Sequence, residues 1–310
     1  MEHNIALLGL GTVGQGVVEL LKEDSQFRIR KALVRDLAKR RDADLRGIEL
    51  VTDAAKILGD DSLDIIVEVM GGYTPAREYI ETALKRGKHV VTANKAVIAE
   101  YPRLAELAES KGVHLRYEPA VGGEIPIINF LRNGSARESI AEVRMIINGT
   151  TNYILTEMGR GISYEAALSE AQRLGYAEAD PSFDVDGRDA AQKLAIVASI
   201  VSGNWVDWKR IPTCGITGIT PEYIEKAAGD GDRIKLIASL KRNGSGLELS
   251  VKPEQIPTEE SSLRVDGVTN AILIKYGNGE EKYFQGAGAG RIPTAKSVVA
   301  DLYSIIKAAH

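Results

Sequence analysis

The segment Gly9-Leu-Gly11-Thr-Val-Gly14 follows an apolar run, Ile5–Leu8, and opens an amphipathic stretch, Val13–Leu21. This order of strand, glycine-rich turn and helix is the context in which a G-x-G-x-x-G pattern binds a dinucleotide. The first glycine permits a tight turn, the second lets the backbone approach a pyrophosphate, and the third lets helix and strand pack closely. The alternative is a glycine-rich turn that binds nothing.

Short apolar runs alternate with amphipathic stretches on both sides of this turn, which is the order expected for parallel strands joined by crossover helices. The predicted strands are Ile5–Leu8, Ile29–Val34, Ile65–Val69, His89–Thr92 and Val113–Tyr117. Prolines and glycines bound two predicted helices, Pro75–Arg86 and Pro102–Ser110. The pattern predicts a Rossmann-type, doubly wound α/β domain over residues 1–134.

The rhythm of the sequence changes after about Gly134. A strand is predicted at Ile140–Ile147, and helices are predicted near Thr151–Met158, Tyr164–Leu174 and Asp189–Ser202. Later strand-like runs are Ile234–Leu240, Leu247–Val251, Ala271–Tyr276 and Lys282–Phe284. This order predicts a separate α+β domain over residues 135–285. Residues 286–310 contain a glycine-rich turn and a predicted helix, Thr294–Ala308.

The composition excludes several classes of protein. The 310 residues correspond to two domains at about 150 residues each. With 39 Lys and Arg against 43 Asp and Glu, the net charge is -4, so no overall positive field attracts nucleic acid or anionic lipid. The single cysteine, Cys214, excludes an internal disulfide and is interpreted as a small packing residue. Without a basic leader or an apolar run of about 20 residues, a cytoplasmic protein is expected.

The residues after the second predicted strand bear on the choice of dinucleotide. An acidic residue about 20 positions past the glycine turn would bind the ribose of NAD, whereas an arginine would suit the 2′-phosphate of NADP. The sequence offers Arg35 followed by Asp36, and then a basic run, Lys39–Arg41. The charges favour NADP, and Asp36 keeps NAD possible. The basic run could also be no more than the solvated face of a helix.

Five carboxylates lie between Glu178 and Asp189, directly before an apolar helix. Helix capping explains part of this density: Asp184 or Asp186 could be the N-cap, and Asp189 with Lys193 could form a surface ion pair. Capping does not explain why Lys193 precedes a run of apolar residues. A lysine held among apolar residues, with carboxylates nearby, can exchange a proton with a substrate oxygen. Glu178 could meet a substrate ammonium group.

The segment from Ala171 to Lys193 resembles a motif of the homoserine dehydrogenase family. The matching positions are Ala171, Gly175, Asp180-Pro181, Asp184, Gly187, Asp189 and Lys193. The resemblance extends, in the order of the family, to Gly9–Gly14, Thr92–Lys95, Glu118–Pro126, Asn148–Tyr153 and the C-terminal glycine turn through Thr294-Ala295. It covers nearly the whole chain and ends about one helix past that turn, so a short form without a regulatory domain is expected.

This resemblance implies an NAD(P)-dependent oxidoreductase that interconverts L-homoserine and L-aspartate 4-semialdehyde in threonine and methionine biosynthesis. It implies catalytic roles for Lys193, Lys95 and Asp189, and substrate-binding roles for Glu178, Asp184, Thr150 and Tyr176. The implied cofactor-binding residues, with Arg35 added from its charge, are Gly9, Gly11, Thr12, Val13, Gly14, Arg35, Thr92, Lys95 and Gly290. Glu118 and the carbonyls of Val121, Gly123 and Ile125 would hold a monovalent cation, Na⁺ or K⁺.

The resemblance also implies a homodimer formed by the strand-rich part of the second domain, and a C-terminal segment, 286–310, that returns to the cofactor domain. Two alternatives stay open at this point. One is a related dehydrogenase acting on another amino-acid semialdehyde or on aspartate. The other is a non-catalytic NAD(P)-binding sensor, which the intact acidic segment with Lys193 disfavours.

Overall fold

Residues 2–134, 137–244 and 246–308 are described by a computed structural model of the chain. The chain divides into two units, one of Met1–Pro126 with Ala289–His310 and the other of Ile127–Gly288. The first boundary therefore lies before the residue 134 expected from the sequence, because a helix that starts at Ile127 belongs to the second unit. Residue 135, the predicted start of the second domain, lies outside the described residues.

The first unit contains a parallel sheet of six strands among the described residues. The strands are β1 (His3–Leu8), β2 (Phe27–Leu33), β3 (Glu49–Val51), β4 (Ile65–Glu68), β5 (His89–Thr92) and β6 (Leu115–Arg116). They are ordered β3-β2-β1-β4-β5-β6. This is the doubly wound order of dinucleotide-binding domains, in which ligands bind beyond the carboxyl ends of β1 and β4. The predicted Rossmann-type fold is confirmed.

Helices cover this sheet where the apolar periodicity predicts them, and two short helices were not predicted. They are α1 (Thr12–Leu21), α2 (Ala55–Leu58), α3 (Ala76–Lys85), α4 (Lys95–Glu100) and α5 (Arg103–Ser110). The predicted helices α1, α3 and α5 are confirmed to within a residue or so at each end. The basic run Lys39–Arg41 lies in an irregular loop after β2, so its interpretation as a helix face is wrong.

The second unit contains an antiparallel sheet of five strands among the described residues, ordered β11-β10-β7-β8-β9. Its strands are β7 (Ile140–Ile146), β8 (Arg233–Asn243), β9 (Gly246–Ile256), β10 (Thr269–Tyr276) and β11 (Glu281–Ala287). Its helices are α6 (Ile127–Asn133), α7 (Gly149–Met158), α8 (Tyr164–Arg173), α9 (Ser182–Val185), α10 (Arg188–Ser202) and α11 (Pro221–Gly229). The predicted α+β architecture is confirmed, with α6, α9 and α11 as additions.

The last helix, α12 (Arg291–Ala308), is part of the first unit. Its buried residues Val298 and Leu302 pack in one apolar cluster with Val17 and Leu21 of α1. Burial of each such side chain contributes about 1.5–3 kcal/mol to the free energy of unfolding. The C-terminal helix therefore contributes to the stability of the first unit.

Two further observations concern single features of the sequence. Cys214 is exposed, so its interpretation as a packing residue is wrong. None of the described helices has the length and apolar character needed to cross a membrane.

Candidate active site

The glycine-rich turn after β1 has the geometry that its spacing predicts. Gly9 has φ +105°, and a Cβ on it would lie 2.9 Å from the carbonyl oxygen of Val69. A Cβ on Gly14 would lie 2.4 Å from the carbonyl oxygen of Gly9. A Cβ on Gly11, by contrast, would meet no atom within 4 Å. Two glycines are therefore required by packing, and the third leaves open space beside the start of α1.

The N-terminus of α1 is suited to an anion. The helix begins at Thr12, followed by Val13, and its N-cap is Gly11. Gly11 has no side chain that could accept from the first N–H groups, and no acidic residue lies in the described first turn. The helix dipole and the unpaired N–H groups are then available to a phosphate. The residues present therefore fit the pyrophosphate of a dinucleotide.

A cavity of about 700 Å³ adjoins this turn at the carboxyl ends of the strands. Its lining includes Gly9, Gly11, Arg35, Asp36, Lys39 and Arg41. The volume lies in the range of cofactor sites, about 300–1,000 Å³. One carboxylate oxygen of Asp36 already accepts from the backbone N–H of Ala38 at 2.8 Å, whereas Arg35 is exposed. Basic groups thus outnumber acidic ones where the ribose would lie.

A buried glutamate that the sequence analysis missed organises the loops at the end of β4 and β5. Glu68 accepts from the N–H of Met70 at 2.8 Å and from the Thr92 hydroxyl at 2.6 Å. Burial raises the pKa of Glu68, although the bonds from Thr92 and Met70 oppose the shift. Its signal in the sequence is a glutamate that ends the apolar strand Ile65–Glu68. The Thr92 side chain is itself fully buried, so it supports the loop from within.

Lys95 is placed by the residue before it. The Asn94 side chain accepts from the N–H of Val97 at 3.3 Å and so caps α4, and its amide donates to the carbonyl of Gly72 at 2.6 Å. Lys95 is consequently the first residue of α4 and is partly buried. Its position is set by the same loops that Glu68 holds.

The predicted cation loop is a buried turn between β6 and α6. Glu118, Val121 and Ile125 are each at most 2% exposed. The N–H of Glu118 donates to Asp301 at 2.8 Å, and the carbonyl of Gly123 accepts from the Ser297 hydroxyl. Because a carbonyl oxygen has two lone pairs, this bond leaves Gly123 able to bind a cation as well. No cluster of three or more His, Cys, Asp or Glu side chains suited to a metal occurs in the described ranges.

In the second unit, one amide joins the carboxylates of the acidic segment. The Asn148 side chain donates to Asp184 at 2.7 Å and to Asp189 at 2.9 Å. Its oxygen accepts from the N–H of Thr151 at 2.8 Å, which caps α7. Asn148 therefore brings together α7, α9 and α10.

Lys193 is held at the centre of this network. Its Nζ lies 2.8 Å from Asp189 and donates to the carbonyl of Ile147 at 2.8 Å. The two side chains are 12% and 5% exposed, so the interpretation as a surface ion pair is wrong. The cap of α10 is Gly187, with φ +82°, and neither Asp184 nor Asp186 occupies that position. Asp189 lies in the first turn of α10, as expected for an acidic residue at a helix start, but capping of α10 does not account for Asp184 or Asp186.

The remaining predicted substrate residues lie around the same network. The Thr150 hydroxyl donates to the carbonyl of Tyr176 at 2.7 Å and lies 3.4 Å from Asp184. The Tyr176 ring, 42% exposed, packs edge-on against Tyr153. Glu178, two residues later, is exposed. Thr150, Asp184, Asp189 and Lys193 are therefore brought together, with Glu178 on the exposed segment beside them.

Two family models match this chain. A model described as "Homoserine dehydrogenase" matches residues 126–303, and one described as "Homoserine dehydrogenase, NAD binding domain" matches residues 9–118. The chain belongs to the homoserine dehydrogenase family. Its activity is NAD(P)-dependent oxidation of L-homoserine and the reverse reduction, which confirms the function that the resemblance implied. This activity excludes a non-catalytic sensor and a dehydrogenase for aspartate or another amino-acid semialdehyde.

Named relatives agree with this assignment. Homoserine dehydrogenase of Bacillus subtilis is 41% identical, over 98% of this chain and 72% of the relative. A crystal structure of homoserine dehydrogenase from Thiobacillus denitrificans has a TM-score of 0.93 at 42% identity, covering 98% of this chain and 73% of that one. A hyperthermophilic archaeal homoserine dehydrogenase in complex with NADPH has a TM-score of 0.83 at 27% identity, covering 99% and 98%.

The buried carboxyl of Glu68 gives this homoserine dehydrogenase a predicted pH dependence. A carboxyl whose pKa is raised by folding binds more protons in the folded state, so its contribution to stability falls as pH rises above its ordinary pKa near 4.5. Gln cannot titrate. The melting temperature of wild type, minus that of Glu68→Gln, should therefore fall as the pH rises above about 4.5. Glu106→Gln, at an exposed position, is the control, and a flat difference for Glu68→Gln would contradict the assignment.

Proposed function

We propose that Lys193 is the general acid and base of the homoserine dehydrogenase reaction and that Asp189 holds it in place. One observation carries this proposal: a lysine ammonium has three N–H donors, and the described residues take only two of them, at Asp189 and Ile147. The third is available to a substrate oxygen. A nicotinamide cofactor, when bound, supplies the hydride to the aldehyde carbon or removes it from the alcohol.

Lys193 then performs the proton half of the reaction. In reduction, negative charge develops on the aldehyde oxygen, and the Lys193 ammonium stabilises that charge and gives the oxygen a proton. In oxidation, neutral Lys193 takes the hydroxyl proton. Asp189 holds the Lys193 amine in position. It also offsets the desolvation cost of the ammonium charge in a largely buried site.

Substrate is held, in this proposal, by the acidic segment. Glu178 and Asp184 meet the ammonium group of homoserine, and Thr150 and Tyr176 line the same pocket. The support is that Thr150 already bonds the backbone of Tyr176 and lies beside Asp184. A cationic amine next to two carboxylates makes charge-assisted bonds that a neutral analogue cannot make.

The cofactor is bound by the first unit. Gly9, Gly11, Thr12, Val13 and Gly14 take the pyrophosphate at the N-terminus of α1. Arg35 pairs with the 2′-phosphate, which makes NADP the preferred cofactor, with NAD as the second choice. The archaeal relative in complex with NADPH supports this preference. Lys95 and Gly290 serve the nicotinamide end, and Thr92 contributes by fixing the loop through Glu68.

The proposal also includes a bound cation, an oligomeric state and a cellular location. Glu118, with the carbonyls of Val121, Gly123 and Ile125, binds Na⁺ or K⁺, supported by the burial of this oxygen-rich turn. The antiparallel sheet of the second unit forms a homodimer. The enzyme acts in the cytoplasm, where a reducing environment keeps its single cysteine as a thiol.

Lys193→Ala should lower kcat by about 10²–10⁴-fold, the usual contribution of a positioned acid or base. The dissociation constant for the cofactor should stay close to that of wild type, because Lys193 belongs to the unit that holds substrate. Steady-state rates with L-homoserine and a cofactor titration measure both. Lys226→Ala, on the exposed side of α11, is the control. Near-normal turnover in Lys193→Ala would overturn the assignment.

Glu178→Gln should raise KM for L-homoserine by about tenfold or more and change kcat little, because it removes one charge that meets the substrate amine in ground and transition state alike. The measurement is steady-state kinetics in which the concentrations of L-homoserine and of the cofactor are both varied, so that KM and kcat are obtained separately. Glu165→Gln, exposed on α8, provides the matched control. An unchanged KM would remove Glu178 from the substrate site.

Arg35→Ala should lower kcat/KM for NADP by about tenfold or more, which is the loss expected for a hydrogen bond between charged groups. The value for NAD should change little, since NAD has no 2′-phosphate. Initial rates with each cofactor, measured separately, test the difference. Arg28→Ala, an exposed arginine of β2, is the control. Equal losses with both cofactors would refute the proposed contact.

A further inference from the structure

A second cavity, of about 260 Å³, lies in the second unit and includes none of the candidate active-site residues in its lining. It is formed by the end of α7, by α11 and by the start of β8. Its charged lining residues are Arg160, Arg233, Lys235, Arg264, Asp232 and Asp266. Four cationic and two anionic groups give this lining a formal charge of +2, and one of the cations, Arg160, is paired with Glu157 outside the lining at 2.6 Å.

The positive charges of this cavity are under-compensated. One oxygen of Asp266 accepts from both Arg233, at 2.6 Å, and Lys235, at 3.2 Å. Within the described part of the chain, Arg264 donates only to carbonyl groups, those of Ile256 at 3.0 Å and Gly231 at 2.8 Å. A single carboxylate thus serves two cations, and a third cation has no anionic partner there.

Lys235 is affected first by burial and to a smaller extent by this crowding. It is 1% exposed and also donates to Asn152 at 2.8 Å and to Thr156 at 3.3 Å. Burial lowers the pKa of Lys235 to about 8 despite the opposing charge of Asp266, and the positive charges of Arg233 and Arg264 act in the same direction as burial. A negative charge in the cavity would relieve this repulsion.

We propose that this cavity binds a small organic carboxylate. Guanidinium groups match the planar geometry of a carboxylate, and Arg233 and Arg264 keep N–H donors that no described residue accepts. The lining also includes the apolar residues Leu155, Ile224 and Ile234, which would contact a short hydrocarbon part. The volume is below the usual range for larger ligands, so the occupant is small.

The cavity is connected to the candidate active site through α7. Lys235 bonds Asn152 and Thr156 in the middle and end of this helix, and Asn148 and Thr150 lie at its start. A bound carboxylate would compete with Asp266 for the Lys235 ammonium group. This competition would change the bonds from Lys235 to Asn152 and Thr156 that anchor α7. Occupancy should therefore alter KM for L-homoserine, although binding itself does not depend on the roles proposed for the active-site residues.

Isobutyrate is the probe, followed by isothermal titration calorimetry and thermal melting at low ionic strength. Wild type should bind about one equivalent with a raised melting temperature, and Arg264→Gln and Arg160→Gln should each weaken binding by about tenfold. Arg160→Gln is included because Arg264 also bonds backbone carbonyls. Arg173→Gln is the matched control, since Arg173 pairs with Glu170 at the same spacing as Arg160 with Glu157. It should bind as wild type does.

Three results would overturn the proposal. One is no saturable binding up to about 100 mM isobutyrate, which would detect even millimolar affinity. Another is a general ionic effect, which would be seen as equal weakening in Arg173→Gln or as binding of sulfate without isobutyrate. The third is loss of binding in Glu178→Gln with none in Arg264→Gln, which would place isobutyrate in the active site. Lys193→Ala should bind isobutyrate normally, so failure of the catalytic proposal is measured separately.

Discussion

The second unit depends on the two hydrogen bonds that the Asn148 amide donates to Asp184 and Asp189. Two neighbouring carboxylates repel each other and tend to share a proton unless donors and cations stabilise both charges. Here one amide supplies a donor to each, and Lys193 supplies the cation. Because Asn148 also caps α7, the same residue fixes where that helix starts. These bonds hold strand β7 and helices α7, α9 and α10 in one arrangement. They also keep the candidate acid and base close to the candidate substrate-binding residues.

The first unit uses a comparable device at its own sheet edge. Glu68 ends β4 and pairs in register with Thr92 at the end of β5, so the hydroxyl can bond the buried carboxylate directly. Asn94 then extends the network to α4 and Lys95. In each unit, a hydrogen-bonded carboxylate inside the fold fixes loops that would otherwise have several conformations. In the second unit a lysine pairs with the buried charge, whereas in the first unit neutral donors offset only part of the cost and the pKa of Glu68 stays raised.

Local patterns could be predicted from the sequence, and partnerships across the fold could not. The turn Gly9–Gly14 depends on steric constraints within a few residues, so its spacing alone specifies its form. Strand β3 and helix α9 are too short to show a period, and both were missed. The role of Glu68 depends on its register with Thr92, 24 residues away, which no local pattern records. Capping of α10 by Asp184 or Asp186 was a reasonable interpretation, but the left-handed Gly187 occupies that position.

Counting donors separates two lysines of the second unit, the buried Lys235 and the partly buried Lys193, which sequence alone does not. Lys235 gives its three N–H groups to Asn152, Thr156 and Asp266, and it therefore serves the structure around it. Lys193 gives two, to Asp189 and Ile147, among the residues the structure describes. A buried ammonium with an unused donor is unfavourable unless a ligand completes it. The unused donor of Lys193, among the described residues, supports the proposal that this lysine acts on a substrate oxygen.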